Sequence, residues 1–338
     1  METTSTLPPS PLPTSLAWCS PSPEEIHKLL QGNFVIQYDV ETLEWRMGGP
    51  KWKKDLAVGI AYRSAPESVP FLIGCIVGIP MTAVLRGEKR EILVTDLLCV
   101  APRFRKRHMA TKLIGELDRR GRALGFTGAI GTRGDGHHGY ASTREYNVRP
   151  LNFIRASKLG YWRKKPGVPF STYVKLYSLK KLDESLGTGG ILRAMEKKDV
   201  PAICDMLNGY LKRYELAPYF SPEDCEHMLL PRDGIISSYL SEDGFISWRR
   251  VVTEDGLVSA YVYYAAPGMG MTPDGMGSLY RILVKALTKM EEEKVDMCAC
   301  LSSILPIPSG LRFQVGTNLY FYTRELGSSP CSVSMMII

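Results

Sequence analysis

The sequence lacks several features that would assign it to a particular class of protein. No apolar run reaches the ~18 residues that a membrane-spanning helix needs. The N-terminus has no basic stretch followed by an apolar one, as a secretory signal would have. The 8 cysteines are scattered and include no Cys-x-x-Cys pair, so neither a disulfide framework nor a zinc site is predicted. We therefore expect reduced, mostly buried thiols, no bound metal, no membrane span and a cytoplasmic location.

The basic residues give a net charge of +7 and gather in three short clusters, Arg103–His108, Arg119–Arg122 and Arg163–Lys165. A solvated basic face explains such clusters, and nucleic-acid-binding proteins also contain them. The sequence has neither zinc-finger spacing nor an RNA-binding aromatic signature. We therefore expect no nucleic-acid partner, and favour a phosphate-bearing small molecule beside one cluster.

The order of the predicted elements indicates an α/β protein built from two similar halves. The 338 residues exceed the roughly 250–300 that one core usually supports. A strand–helix–strand pattern occurs across Ile92–Thr132 and again across Gly256–Leu301. The stretch near Leu176–Gly190, rich in Lys, Ser and Gly, is the predicted linker. We expect a flexible Pro/Ser-rich segment at 1–24 and two halves, 25–178 and 179–338, related by pseudo-two-fold symmetry.

Three helices are predicted from capping residues and from apolar positions at helical spacing. Ser22 precedes Pro23 and an acidic first turn, so we expect a helix from Pro23 to Gln31. A helix between Pro102 and Gly125 is expected to have an inner and an outer face, with Ala110, Leu113, Ile114 and Leu117 inside and Lys112, Glu116, Arg119 and Arg120 outside. A third helix, Ser278–Glu293, is expected to bury Leu279, Ile282, Leu283, Leu287 and Met290.

A basic loop follows directly on the apolar strand that ends at Val100, and a helix starts at once. Backbone N–H groups at a helix N-terminus attract anions, and basic side chains around them would complete a pyrophosphate site. The predicted cofactor-binding residues are consecutive: Arg105, Lys106, Arg107, His108, Met109, Ala110 and Thr111. The spacing Arg105-x-x-His108-x-Ala110 resembles the phosphate loop of acyl-CoA N-acyltransferases, with His108 in place of the first Gly. A solvated helix start with a basic flank gives the same pattern, so the loop alone does not establish a phosphate-binding site.

Motifs along nearly the whole chain resemble those of N-myristoyltransferases, in the same order. They comprise Leu12–Trp18, Trp45, Pro50–Trp52, Cys75–Pro80, Leu97–Val100, Phe104–Thr111, Tyr146–Asn152, Tyr210–Pro218 and Arg312–Gly316. The resemblance implies two fused halves of the acyl-CoA N-acyltransferase (GNAT) type. It also implies a monomer without a permanently bound cofactor, which takes myristoyl-CoA as co-substrate. The acceptor implied is the N-terminal glycine amine of protein substrates.

The same resemblance assigns roles to individual residues. The backbone N–H groups of Leu97 and Leu98, at a strand bulge, would bind the oxyanion that forms when the amine attacks the thioester. The terminal carboxylate of Ile338 would be the base, and Thr132 would hydrogen-bond the amine or that carboxylate. The implied substrate-binding residues are Tyr146, Asn152, Asp96 and Gly316. A structural role, such as a buried strand or a frayed terminus, also fits each of these positions.

The chain departs from the family pattern at several places. The aromatic N-terminal segment that covers the CoA adenine has no counterpart, which predicts weaker CoA binding. The acidic loop that recognises a substrate lysine is missing after Asn33–Val35, so we expect a weaker preference for lysine-containing peptides. Asp96 replaces an Asn, Val148 replaces a His, and Thr317–Asn318 stand where the family has Gly-Asp-Gly.

These departures leave three functions open: an active N-myristoyltransferase, a catalytically weak or inactive relative that binds acyl-CoA or glycine-ended peptides, and an N-acyltransferase for another amine. Cys99 lies in the strand motif, but no histidine stands at a recognisable position to activate it. Direct transfer needs no acyl-enzyme, so we expect Cys99 to be a buried packing residue.

Overall fold

The computed structural model describes residues 8–34, 36–133, 140–179, 191–268, 276–305, 307, 309–324 and 333. These residues form two compact units. The N-terminal unit comprises the described residues up to Ser142 together with Phe321–Arg324. The C-terminal unit comprises those of Thr143–Tyr320 together with Val333.

The N-terminal unit is a sheet flanked by helices. Its strands are β1 (Leu16–Cys19), β2 (Ile36–Gln37), β3 (Ala57–Tyr62), β4 (Phe71–Leu85), β5 (Glu88–Val100) and β6 (Ala129–Arg133). The sheet order is β1-β3-β4-β5-β6, with antiparallel pairing from β1 to β5 and parallel pairing of β5 with β6. Parallel pairing requires a crossover, which helix α3 (Met109–Ala123) supplies. Residues 16–19, predicted to be part of a flexible segment, are therefore a paired edge strand.

Two short helices precede β3 in this unit, α1 (Pro23–Leu30) and α2 (Val40–Arg46). The Ser22 side chain accepts a hydrogen bond from the N–H of Glu25, whose carboxylate accepts from the N–H of Ser22. This reciprocal capping box satisfies two N–H groups that a helix start otherwise leaves without partners. The helix predicted after Ser22 is confirmed.

Helix α3 confirms the predicted helix but corrects its predicted faces. Leu113 and Leu117 are buried against β3, β4 and β5 as expected, whereas Ile114 is exposed and Glu116 is buried. The carboxylate of Glu116 accepts hydrogen bonds of 2.8 Å from Arg119 and 2.9 Å from Arg120. Burial acts to raise the pKa of Glu116, but these two guanidinium groups hold it below its usual value. The basic cluster at Arg119–Arg122 is thus engaged in ion pairs of its own helix.

The C-terminal unit repeats the strand–helix–strand arrangement. Its strands are β7 (Ser142–Pro150), β8 (Arg193–Ala194), β9 (Leu216–Pro218), β10 (Ile236–Ser241), β11 (Gly244–Thr253), β12 (Val258–Pro267), β13 (Met297–Leu301) and, as far as Tyr320, β14 (Gln314–Arg324). The sheet order is β14-β7-β13-β12-β11-β10-β8. Strands β12 and β13 are parallel, and helix α8 (Met276–Glu292) connects them. The five residues predicted to be buried on this helix are all buried.

Four further helices belong to this unit: α4 (Phe153–Lys158), α5 (Phe170–Tyr177), α6 (Val200–Leu211) and α7 (Pro222–Leu229). Phe153, Trp162 and Tyr177 share a buried cluster with Leu257 and Met297. The division between the compact units therefore falls at 142/143, whereas the sequence placed it at 178/179. The apolar residues of α4 and α5 account for this difference, because they pack on strands that come much later in the chain.

Candidate functional site

A pocket of about 350 Å³ opens in the N-terminal unit where β5 ends and α3 begins. Its lining combines residues of three segments: Asn33, Phe34, Leu98, Cys99, Val100, Phe104, Arg105, Lys106, His108, Met109 and Ala110. Five of the seven residues predicted to bind a cofactor are in this set. The other two, Arg107 and Thr111, are exposed residues beside it.

The start of helix α3 presents its backbone to this pocket. The N-cap residue His108 has φ 57°, in the left-handed region, and its side chain makes no capping hydrogen bond. The first helical bond runs from the N–H of Lys112 to the carbonyl of His108. The N–H groups of Met109, Ala110 and Thr111 therefore precede the intrahelical ladder, which makes this helix start suited to an anion.

Basic side chains surround this helix start. The Nε of Arg105 donates to the carbonyl oxygen of Val100 at 2.8 Å, which ties the loop to the end of β5. The Arg107 guanidinium lies over the ring of Phe104, 5.9 Å from its centroid. Arg105, Lys106, Arg107 and His108 are all exposed, so their charged groups are available to a phosphate-bearing ligand.

Strand β5 bulges where it reaches the pocket. Cys75 of β4 opposes Cys99, and Val77 opposes Asp96, so two residues of β5, Leu97 and Leu98, face one residue of β4. Leu97 has φ 53°, a conformation more usual for glycine. Leu97 is buried, whereas the Leu98 side chain is 38% exposed and lines the pocket.

Two hydrogen bonds hold the backbone of Leu97. Its N–H donates to Oδ1 of Asp96 at 2.8 Å, and its carbonyl oxygen accepts from the Cys75 thiol at 3.3 Å. The second oxygen of Asp96 forms an ion pair with Arg46, the last residue of α2. Sequence reasoning singled out Asp96 but missed Arg46, because the two residues lie on different elements and no sequence pattern links them.

Thr132, the remaining catalytic candidate in the N-terminal unit, is half-buried on β6. A Cβ at the neighbouring Gly131 would clash with Oγ1 of Thr95, so β6 approaches β5 closely at this point. The predicted base, Ile338, lies outside the described residues.

The substrate-binding candidates of the C-terminal unit fall into two places. Tyr146 is buried on β7, with its ring 5.7 Å from that of Tyr261. Gly316 lies beside it on β14, where a Cβ would meet the Tyr146 carbonyl oxygen at 3.3 Å. Asn152 lies elsewhere, and its side chain accepts from the N–H of Arg155 at 3.2 Å as the N-cap of α4. The Asn152 side chain therefore acts as a helix cap, while its backbone N–H donates to the carbonyl oxygen of Asp296 at 3.0 Å.

The described residues contain no group of three or more His, Cys, Asp or Glu that could hold a metal ion. Their seven cysteines are free thiols. None of their helices is long and apolar enough to cross a membrane.

Comparison with known proteins identifies the relatives of this chain. Residues 8–136 match the family described as "Myristoyl-CoA:protein N-myristoyltransferase, N-terminal domain", and residues 159–322 match its C-terminal domain. The glycylpeptide N-tetradecanoyltransferase of Plasmodium falciparum is 30% identical over 69% of this chain and 58% of its own length. That of Candida albicans is 26% identical over 82% of this chain and 66% of its own length. The chain thus spans about three fifths to two thirds of these relatives.

Solved structures show the same fold. A Saccharomyces cerevisiae N-myristoyltransferase with bound myristoyl-CoA superposes with a TM-score of 0.82 at 22% identity, covering 94% of this chain and 80% of the other. A GCN5-related N-acetyltransferase from Kribbella flavida superposes with a TM-score of 0.52 at 11% identity, covering 91% and 70%. The predicted α/β fold of the GNAT type is therefore confirmed. Since the two domain matches follow one another along the chain, it belongs to the myristoyl-CoA:protein N-myristoyltransferase family.

Proposed function

We propose that this protein transfers a myristoyl group from myristoyl-CoA to the N-terminal glycine amine of protein substrates. One observation carries the proposal: a single pocket is lined both by the basic start of α3 and by Leu98 of the β5 bulge. The first feature suits the phosphates of CoA, and the second suits the carbonyl of a thioester. Membership of the family supports myristoyl-CoA as the donor and proteins as the acceptors.

The donor would bind through its phosphates. The N–H groups of Met109 and Ala110 and the exposed side chains of Arg105 and Lys106 offer backbone and charge-assisted hydrogen bonds to a pyrophosphate. Ala110 is small, which lets a phosphate approach the helix start closely. The protein would act as a monomer and hold no cofactor between turnovers.

The transfer would proceed by direct attack. The glycine nitrogen forms a bond to the thioester carbonyl carbon, and the carbonyl oxygen becomes an oxyanion. Collapse breaks the C–S bond and releases CoA thiolate, which takes up the proton that the nitrogen gives up as the amide forms. N–H groups at the Leu97–Leu98 bulge would stabilise the oxyanion, a contribution typically worth about 3–4 kcal/mol for one donor.

The attacking amine must first lose a proton, because an α-amino group with a pKa near 7.7–8.0 is mostly charged at neutral pH. By the family resemblance, the terminal carboxylate of Ile338 accepts that proton. Thr132 would hydrogen-bond the amine or this carboxylate. Tyr146, Asn152 and Gly316 remain the proposed contacts of the peptide, and Tyr146 and Gly316 are neighbours on adjacent strands. The Asp96 carboxylate, also expected to contact the peptide, is engaged by Leu97 and Arg46 instead.

A second candidate, a catalytically weak relative that binds acyl-CoA or glycine-ended peptides, is favoured by one observation. The N–H of Leu97, one of the two expected oxyanion donors, is hydrogen-bonded to the Asp96 carboxylate. If the Leu97 N–H stays bonded to Asp96, the protein would still bind an acyl-CoA, but the bulge would stabilise the transition state of acyl transfer less.

A mass-spectrometric transfer assay separates these functions. Myristoyl-CoA is incubated with the protein and a mixed pool of glycine-ended peptides, with alanine-ended peptides of the same sequences as controls. Glycine-dependent myristoyl adducts support the transferase. Adducts on both peptide sets point to an N-acyltransferase of broader acceptor range. Myristoyl-CoA binding without adducts, measured in the same sample, favours the binding-only relative.

A further inference from the structure

Arg46 and Asp96 form a buried ion pair between helix α2 and the bulged strand β5. Their side chains are 9% and 10% exposed. The guanidinium also lies over the Tyr38 ring, 5.9 Å from its centroid. Two charges removed from water in this way cost desolvation energy, and such a pair is seldom retained for stability alone. Its location beside the bulge gives it a role in the reaction.

The pair is linked to the backbone at Leu97 through Asp96. Asp96 uses its other carboxylate oxygen to accept the N–H of Leu97 at 2.8 Å. On the opposite side, the Cys75 thiol holds the Leu97 carbonyl. Leucine is unfavourable at φ 53°, so these two hydrogen bonds stabilise a conformation that the residue itself disfavours.

We propose that Arg46 and Asp96 are positioning residues that fix the backbone at Leu97. The N–H of Leu98, rather than that of Leu97, is then the oxyanion donor of the bulge. This inference rests on the proposed function. Arg46 has a second task, because an unpaired carboxylate beside the bulge would repel a developing oxyanion. Paired, the two side chains are neutral together and leave the hydrogen bond from Leu97 in place.

Rescue by a second substitution tests the pair. Arg46→Ala leaves a buried carboxylate without its counterion, and is expected to lower kcat about 100-fold through misplacement of the donor. The KM for myristoyl-CoA is expected to change less than about twofold, because binding at the basic loop does not involve Arg46. In the double variant R46A/D96N the charge is removed while the amide oxygen still accepts from Leu97. Its kcat is expected to recover to that of D96N alone.

The matched control is Lys51→Ala, which breaks the 2.7 Å pair of Lys51 with Glu91 on the same strand β5, away from the bulge. It is expected to leave kcat unchanged. Additive losses in R46A/D96N, or an equal loss in K51A, would overturn the proposal, because both indicate a general effect on the sheet.

A measurement that needs no turnover separates this inference from the proposed function. The protein is labelled with ¹⁵N-leucine and saturated with a ketone analogue of myristoyl-CoA, in which a methylene replaces the thioester sulfur. Leu97→Met and Leu98→Met identify the two amide signals. We expect the Leu98 amide to shift and the Leu97 amide to stay. A shift of Leu97 alone, or of neither, refutes the assignment. A shift of Leu98 in a protein without transfer activity refutes the proposed function and leaves the positioning role standing.

Discussion

The thiol of Cys75 donates a hydrogen bond of 3.3 Å to the carbonyl oxygen of Leu97, the residue at which β5 bulges. Cys75 also lies directly opposite Cys99 in the β4–β5 register. Burial raises the pKa of both thiols above the ordinary value. Each is therefore protonated at neutral pH, so Cys75 can act as a donor and Cys99 is a poor nucleophile.

Replacing Cys99 by alanine tests whether an acyl-enzyme forms. Cys99 lines the pocket, but its raised pKa leaves little thiolate to attack a thioester. We expect Cys99→Ala to keep kcat within about threefold of wild type, since direct transfer uses no thiol. Mass spectrometry of the protein during turnover is expected to show no covalent acyl adduct. An adduct that disappears in this variant would establish the covalent route instead.

The left-handed conformation of His108 predicts the effect of glycine at the helix start. At φ 57°, a residue with a Cβ lowers the stability of the fold by about 1–2 kcal/mol relative to glycine. His108→Gly is therefore expected to be more stable than His108→Ala by about 1 kcal/mol, measured by urea unfolding. Myristoyl-CoA binding is expected to survive both changes, because the neighbouring N–H groups remain.

The control for this comparison is Thr111, in the first turn of the same helix and also exposed. Thr111 does not have a positive φ, so helix propensity determines which substitution is more stable at this position. The order is expected to reverse, with Thr111→Ala more stable than Thr111→Gly by about 0.5–1 kcal/mol. The same order at both positions would show that the conformation of His108 does not determine its stability.

Local patterns predicted much of the fold because they carry their own physical cause. Ser22, Pro23 and Glu25 specify a helix start through capping, and the structure has that capping box. The hairpin of β10 and β11 was missed, since its alternation of Ser with apolar residues gives a weak strand signal and its Gly244 turn was not recognised.

The parts that sequence reasoning did not find depend on contacts between distant residues. The basic loop was identified because it is consecutive in the chain. By contrast, the partner of Asp96 is Arg46, on another element, and neither residue alone indicates the other. Glu116 was placed on the wrong face because its burial depends on two arginines that neutralise it, and hydrophobic periodicity takes no account of such pairing.

The basic loop predicts a charge-dependent affinity for the acyl donor. Arg105→Ala with Arg107→Ala removes two exposed guanidinium groups at the start of α3. We expect myristoyl-CoA to bind about 10- to 100-fold more weakly, a loss equal to about one hydrogen bond to a charged group, which contributes about 1.5–3 kcal/mol. The dependence of Kd on salt is expected to flatten as well.

The control is K53A/K54A, which removes two exposed charges of the same sign in the same unit but outside the pocket. Titration calorimetry at two salt concentrations gives both quantities. If the two double variants bind myristoyl-CoA equally well, the phosphates of the donor do not bind at the basic loop.

The proposed base predicts sensitivity at the C-terminus. Appending Gly-Ser after Ile338 displaces the terminal carboxylate, and is expected to lower kcat by at least about 100-fold, the usual contribution of a general base. Ile338→Leu keeps the carboxylate and is expected to retain activity. Transfer that survives the extension would exclude the terminal carboxylate as the base.

The ion pair of Asp243 with Lys285 makes a prediction about stability in the C-terminal unit. Both side chains are buried, and Oδ2 of Asp243 accepts from Nζ of Lys285 at 2.8 Å. Arg281 donates to the other oxygen at 2.6 Å. Removing one partner of such a pair leaves an uncompensated buried charge, so Asp243→Asn is expected to lower the free energy of unfolding by about 3–5 kcal/mol at pH 7. Glu242→Gln, which changes an exposed neighbour 3.9 Å from the same lysine, is the control and is expected to cost less than about 0.5 kcal/mol.

The pH dependence of this difference identifies its cause. Burial acts to raise the pKa of Asp243, but the hydrogen bonds from Lys285 and Arg281 hold it below its usual value. The stabilisation is therefore fully present above the ordinary aspartate pKa of about 3.9, and is lost as the pH falls through the lower value of the folded state. We measure the free energy of unfolding in urea between pH 7 and pH 3.5. The difference between wild type and D243N is expected to stay constant down to about pH 5 and to shrink below it. A gap that stays the same at every pH would mean that lost packing, rather than lost charge, destabilises the variant.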